Sequence, residues 1–204
     1  KKNLGIFANA VAERADLNWI IQPNSQAAGG RVIICTRPFH QLPDLHNELL
    51  EKSAKVGNSP IDSLYCVAPS SIRTVGNRTC SELSTALKKA GHNVWDGTDP
   101  ELRRDFPRSQ NDHRIIQYDS CRGLEGWTVV LDAFDELWSL KYDLALSQGH
   151  RPDNLIDDKE WASQKAWQWA MIPITRPIDT LVITLNDETS TAGKLLLAVS
   201  NYLE

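Results

Sequence analysis

The chain lacks a phosphate-binding loop: the pattern G-x-x-x-x-G-K-[ST] occurs nowhere in its 204 residues. The nearest approach, Thr191-Ala192-Gly193-Lys194-Leu195, is missing the first Gly and places Leu where a hydroxyl should follow Lys194. Unaided capture of nucleotide phosphates by this chain is therefore not expected. Also missing are H-E-x-x-H, G-x-S-x-G and any zinc-like spacing of Cys and His, which removes the usual metallopeptidase, serine hydrolase and zinc-finger readings. No run of about twenty apolar residues exists to span a bilayer, and the opening has no signal-peptide pattern. The four cysteines, Cys35, Cys66, Cys80 and Cys121, form neither C-x-x-C nor a disulfide framework, so reduced thiols and a cytoplasmic setting are expected. The only methionine is Met171 and the first residue is Lys1, which reads as a piece excised from a longer protein.

Excess positive charge is also lacking. A net charge of −4 and a pI near 5.8 exclude a protein that grips nucleic acid by bulk electrostatics, so any polyanion site must be local. Basic residues do gather in the middle of the chain: Arg73, Arg78, Lys88, Lys89, Arg103, Arg104, Arg108, Arg114 and Arg122. His92 and His113 stand alone in the sequence and are expected at the surface or in loops.

What is present is an alternation of short apolar runs and helical periods. Residues 31–36, 63–69, 114–118, 128–132 and 180–185 read as strands, with a short one ending at Trp95. Helical spacing covers the opening, the stretch from Leu45 to a stop at Gly57, and the stretch from a cap at Thr79 or Ser81 to Gly91. It returns from Ala133 to Leu146, from Asp158 to about Met171 and from Ala192 to Leu203, with a loop through Pro152 between the first two. Such alternation predicts an α/β fold with a mostly parallel sheet covered on both faces, and ligands at the C-terminal strand ends. Neither an internal repeat nor a domain boundary is visible. Trp161, Trp167 and Trp169 could stack bases, but their helical spacing is that of ordinary packing on two faces.

Two stretches are left to carry chemistry. One is Arg122-Gly123-Leu124-Glu125, feeding the apolar run Thr128-Val129-Val130-Leu131; the other is Thr175-Arg176, between a helical stretch and the last strand, about fifty residues on. In this order the pair resembles motifs V and VI of the UvrD/Rep-type (superfamily 1) DNA helicases, in which K-G-L-E precedes an apolar strand and T-R-A precedes L-V. The segment from Ser63 to Val94 is similar to the family's intervening strand, polar turn and helix, so the resemblance covers nearly the whole chain.

The resemblance implies that residues 1–204 are a second RecA-like motor domain, with a P-loop domain missing upstream. ATP with Mg2+ would lie between the two domains, its metal ligands on the missing one. Arg176 would be the arginine finger, Glu125 would meet the ribose, and Gly123 and Arg122 would line the nucleotide. Ser70, Ser71, Arg73 and Ser120 would face single-stranded DNA. Against the family pattern, Asp119 replaces a common His, and Ala68 and Ser70 stand for an Arg and an Asn. Pro173 and Pro177 flank Arg176, which predicts a helix that ends early. Only seventeen residues, 96–112, separate Trp95 from His113, leaving no room there for the family's accessory subdomain. Two other readings remain. One is an ATP-dependent switch without unwinding activity; the other is a plain α/β scaffold in which the two motifs are coincidental, a reading that Glu125 and Arg176 on opposite sides of the sheet would support.

Overall fold

The structure, a computed structural model, describes residues 1–24, 26–149 and 157–203. The element order is α1 (Lys2–Arg14), β1 (Arg31–Cys35), α2 (Pro43–Lys55), β2 (Ser63–Val67), β3 (Ile72–Val75), β4 (Arg78–Ser81), α3 (Glu82–Lys89), β5 (Val94–Asp96), β6 (His113–Gln117), β7 (Gly126–Asp132), α4 (Phe134–Gln148), α5 (Asp158–Ile174), β8 (Pro177–Thr184) and α6 (Thr191–Leu203). Part of the loop expected through Pro152 lies outside the described residues.

Six strands form one parallel sheet in the order β1-β8-β7-β2-β6-β5. In β2, the residues from Ser63 to Val67 are all buried, because helices cover both faces and neither side of the pleat meets water. Leu64, Cys66, Val129, Leu131, Leu181 and Ile183 pack beneath α1, α4, α5 and α6, while Tyr65, Val67, Val130 and Val182 pack beneath α2 and α3. The expected α/β architecture is present, and it is RecA-like.

Three features differ from the sequence reading. A hairpin, β3–β4, occupies residues expected as a polar turn, closed by Gly76 and Asn77 with Gly76 at φ 63°. Helix α5 runs through Pro173 to Ile174, since Thr175 N–H donates to the carbonyls of Met171 and Ile172 and bridges the gap the proline leaves. His113 is buried, and its ring lies 5.0 Å from that of His92 and 5.1 Å from that of His46. Neither His92 nor His113 is isolated, because three distant segments converge on one side of the sheet.

Candidate functional site

The chain leaves β6 at the C-terminal edge of the sheet and must enter β7 at the opposite edge, since the two strands are parallel with β2 between them. Residues 118–125 make that crossing. Tyr118 is buried and anchors its start by donating from its hydroxyl to the Asp132 carbonyl at 2.9 Å. Cys121 is also buried; the Cys66 thiol against it, then its own desolvation, then the Arg176 guanidinium act on its thiol, and the net shift is downward. Gly123 sits at φ 76° with open space where a Cβ would be, so here its positive φ, rather than a close approach, calls for glycine.

The crossing ends against motifs from elsewhere in the sequence. Arg114, nearly buried at the start of β6, donates from Nη2 to the Glu125 carbonyl at 2.9 Å and from Nε to the Ser63 carbonyl at 3.4 Å. Gly126 N–H donates to the Arg176 carbonyl at 3.3 Å, and Gly126 pairs with Pro177 where β7 meets β8. A Cβ on Gly126 would come within 2.8 Å of the Thr128 carbonyl oxygen and 3.0 Å of Leu64 Cβ, so this junction admits only glycine without movement. Just beyond, a register shift in the β7–β8 pairing between Gly126 and Thr128 marks a bulge.

Glu125 and Arg176 are thus neighbours at the N-terminal edge of the sheet. The pair thus lies away from the C-terminal strand ends, Glu125 because the crossing runs backward and Arg176 because α5 ends where β8 begins. The Glu125 side chain is exposed and has no hydrogen-bond or ion-pair partner among the described residues. Arg176 is half-buried and folds back over the end of α5, donating from Nε to the Ile172 carbonyl at 3.0 Å and from Nη2 to Thr175 Oγ1 at 3.1 Å. A guanidinium at that position complements the negative end of the helix dipole. Beside it, a cavity of about 230 Å³ is lined by Thr175, Pro177, Lys1, Gln22 and Asn24.

Arg122 lies elsewhere. Its guanidinium carbon stands 4.2 Å from the centre of the Trp169 ring, and Lys141 Nζ lies 4.5 Å from the same ring. Lys141 also pairs with Asp119 at 2.6 Å. This cluster fastens the crossing to α4 and α5, so Trp169 is an interface residue, while Trp167 belongs to the core.

Ser70, Ser71, Arg73 and Ser120 occupy the opposite, C-terminal edge, roughly 17 Å away by the rise of a five-residue strand. Ser70 donates to Glu136, Ser71 to the Ala68 carbonyl, and Arg73 pairs with Glu82 at 2.5 Å. Ser120 accepts from Arg103 at 3.2 Å. The structure therefore brings Glu125 and Arg176 together and holds the four strand-facing candidates apart from them. Sequence reasoning placed Arg114 only in a basic cluster; its position opening an apolar strand, where a long cation has two carbonyls in reach, was the signal available.

Among the described residues, no group of three or more His, Cys, Asp or Glu is arranged to hold a metal ion, and no helix is long and apolar enough to cross a membrane. No family model and no curated protein matches the chain. Among solved structures, the crystal structure of the C-terminal domain of a possible DNA helicase from Lactobacillus plantarum WCFS1 is similar, with a TM-score of 0.51 and 12% identity over 97% of this chain and 92% of that one. At that identity, the likeness establishes a shared fold.

Proposed function

We propose that this chain is the second RecA-like domain of a UvrD/Rep-type DNA helicase or translocase. In this reading it completes an ATP site whose P-loop and Mg2+ carboxylates belong to a first domain of the same parent. One observation carries the reading: the bond from Gly126 N–H to the Arg176 carbonyl, which joins segments fifty residues apart at a single sheet edge. The similarity to a helicase C-terminal domain adds support at the level of fold.

The donor set fits half of a nucleotide site. Glu125 offers an unpaired carboxylate to a ribose hydroxyl, and Arg176 offers a fixed cation for charge developing on a transferred phosphoryl group. The sequence has no P-loop pattern, so the remaining phosphates would be held by the first domain. For Arg176 to reach a γ-phosphate, its guanidinium must leave the Ile172 carbonyl and Thr175 Oγ1. Closing two domains around ATP would favour that rotation, and hydrolysis would reverse it, stepping the motor along one strand.

The test is ATP hydrolysis by the parent protein with and without single-stranded DNA, together with strand displacement. Stimulation and displacement support the motor; neither would reject it. A second reading, an ATP-dependent switch, draws on the engagement of Ser70 by Glu136 and Arg73 by Glu82 at the edge expected to face DNA. It predicts tight ATP binding without stimulation by DNA.

A further inference from the structure

The loop between β5 and β6 carries an aromatic ring, Phe106, that neither the nucleotide edge nor the core uses. Phe106 is 61% exposed, an uncommon setting for a large aromatic, and its ring centre lies 6.0 Å from that of Trp95 with the planes tilted by 36°. Trp95 is itself fixed, donating from Nε1 to the Asp105 carbonyl at 2.8 Å. Pro107, next to Phe106, is buried and limits how far the loop can fold away. The exposed ring thus stands on a rigid base. Arg103, Arg104 and Arg108 surround it in the sequence and are all exposed.

The β3–β4 hairpin is riveted to the same loop. Thr79 Oγ1 donates to the Thr98 carbonyl at 2.9 Å, and the buried Asp96 carboxylate accepts from Ser81 N and Oγ and from Thr98 N and Oγ1. That attachment adds Arg78, exposed at the hairpin tip, to the surface, and Arg103 links the loop to Ser120 at the end of β6. Arg73 and Arg104 are neutralised by Glu82 and Glu101, and Asp105 is an exposed acid within the loop. Arg78, Arg103 and Arg108 have no acidic partner among the described residues.

We infer that this loop and hairpin form a grip for single-stranded nucleic acid, with Phe106 as the platform for one base and Arg78, Arg103 and Arg108 on the phosphates. Unpaired arginines beside a rigidly mounted, exposed aromatic match what an unpaired strand presents: a regular line of negative charge and a free π-face at each nucleotide. An acidic peptide would use the arginines but has no need of the ring. The chain's overall negative charge makes the grip local, with weak and salt-sensitive binding. The inference deepens the motor reading by naming the surface that holds the strand, and it rests on that reading for the strand's presence.

Strand binding by this chain alone, without ATP, separates the two. Fluorescence anisotropy of a labelled oligothymidylate is measured across a salt series for the wild type, Phe106→Ala, Phe106→Trp and a triple Arg78→Ala, Arg103→Ala, Arg108→Ala variant, each checked for an unchanged urea midpoint. The grip predicts that Phe106→Ala weakens binding about tenfold with the salt slope intact and that Phe106→Trp restores it. The triple variant should flatten the slope by about 2, at roughly 0.7 per single-strand phosphate contact. Failure of the wild type to bind at low salt, variants that bind like the wild type, or competition by polyglutamate as effective as by unlabelled oligonucleotide would each overturn it. None of these outcomes touches ATP turnover by the parent, which judges the motor reading separately.

Discussion

The Gly126 amide and the Arg176 carbonyl meet at 3.3 Å where β7 and β8 begin, so the loop bearing Glu125 and the helix end bearing Arg176 share one backbone junction. A displacement of either segment is transmitted to the other through this bond and through the pairing of Gly126 with Pro177. The two segments meet through their backbones, while the Arg176 side chain folds back onto Ile172 and Thr175.

Gly126→Ala tests the junction. The added methyl would meet the Thr128 carbonyl oxygen at 2.8 Å and Leu64 Cβ at 3.0 Å, both held in the central sheet. The variant should lose about 1–3 kcal/mol of stability, read as a lowered urea midpoint with an unchanged m-value. An unchanged midpoint would show that the strand ends part freely.

Acid should weaken the fold through the histidine cluster. His46 lies against His92 at 4.7 Å and His113 at 5.1 Å, with its Nε2 3.2 Å from the Tyr65 hydroxyl. Burial, then the neighbouring His113 and His92, pull its pKa down from 6.5 to about 3. His113 is lowered for the same first reason, opposed by its bond to the Asn93 carbonyl and by the charge of Asp112. A base with a depressed folded-state pKa binds more protons when unfolded, so its contribution is complete above pH 6.5 and drains away as pH falls toward 3. At about 1.4 kcal/mol per unit, His46 alone accounts for roughly 4 kcal/mol across that window. Urea titrations at pH 7, 5.5 and 4.5 should show a progressive fall that is much flatter in His46→Gln.

Asp96→Ala should release the hairpin. The carboxylate is 1% exposed and accepts four hydrogen bonds, so its removal strands buried donors on Ser81 and Thr98 at a cost of about 2–4 kcal/mol. Amide exchange should rise across residues 72–81 and 97–105 before it rises in β2 or β7. Equal loss of protection everywhere would mean that the rivet supports the whole sheet.

The strands of the sheet were legible because burial on both faces leaves no polar residues in their middles, as in Leu64 to Val67 and Val129 to Leu131. The β3–β4 hairpin was missed because its strands carry exposed Arg73, Thr74 and Arg78, although the Gly76-Asn77 pair is a hairpin signal. The histidine cluster was invisible, since His46, His92 and His113 come from three elements and no local pattern links them. Of the site, Glu125 and Arg176 could be picked out by motif order. Their edge of the sheet follows from each preceding a parallel strand, but their adjacency could not be read, because it depends on β7 and β8 being neighbours in the sheet. The stacking of Arg122 on Trp169 likewise depends on where the crossing meets α5.

Single-turnover ATP hydrolysis in the parent protein, with saturating ATP and single-stranded DNA, decides whether Arg176 acts as the proposed arginine finger when wild type is compared with Arg176→Ala. The variant should lose roughly a thousandfold in the rate of hydrolysis with ATP still bound, since a finger acts on the transition state. A variant that hydrolyses ATP at the wild-type rate would contradict that role and leave Arg176 as no more than the cap of α5.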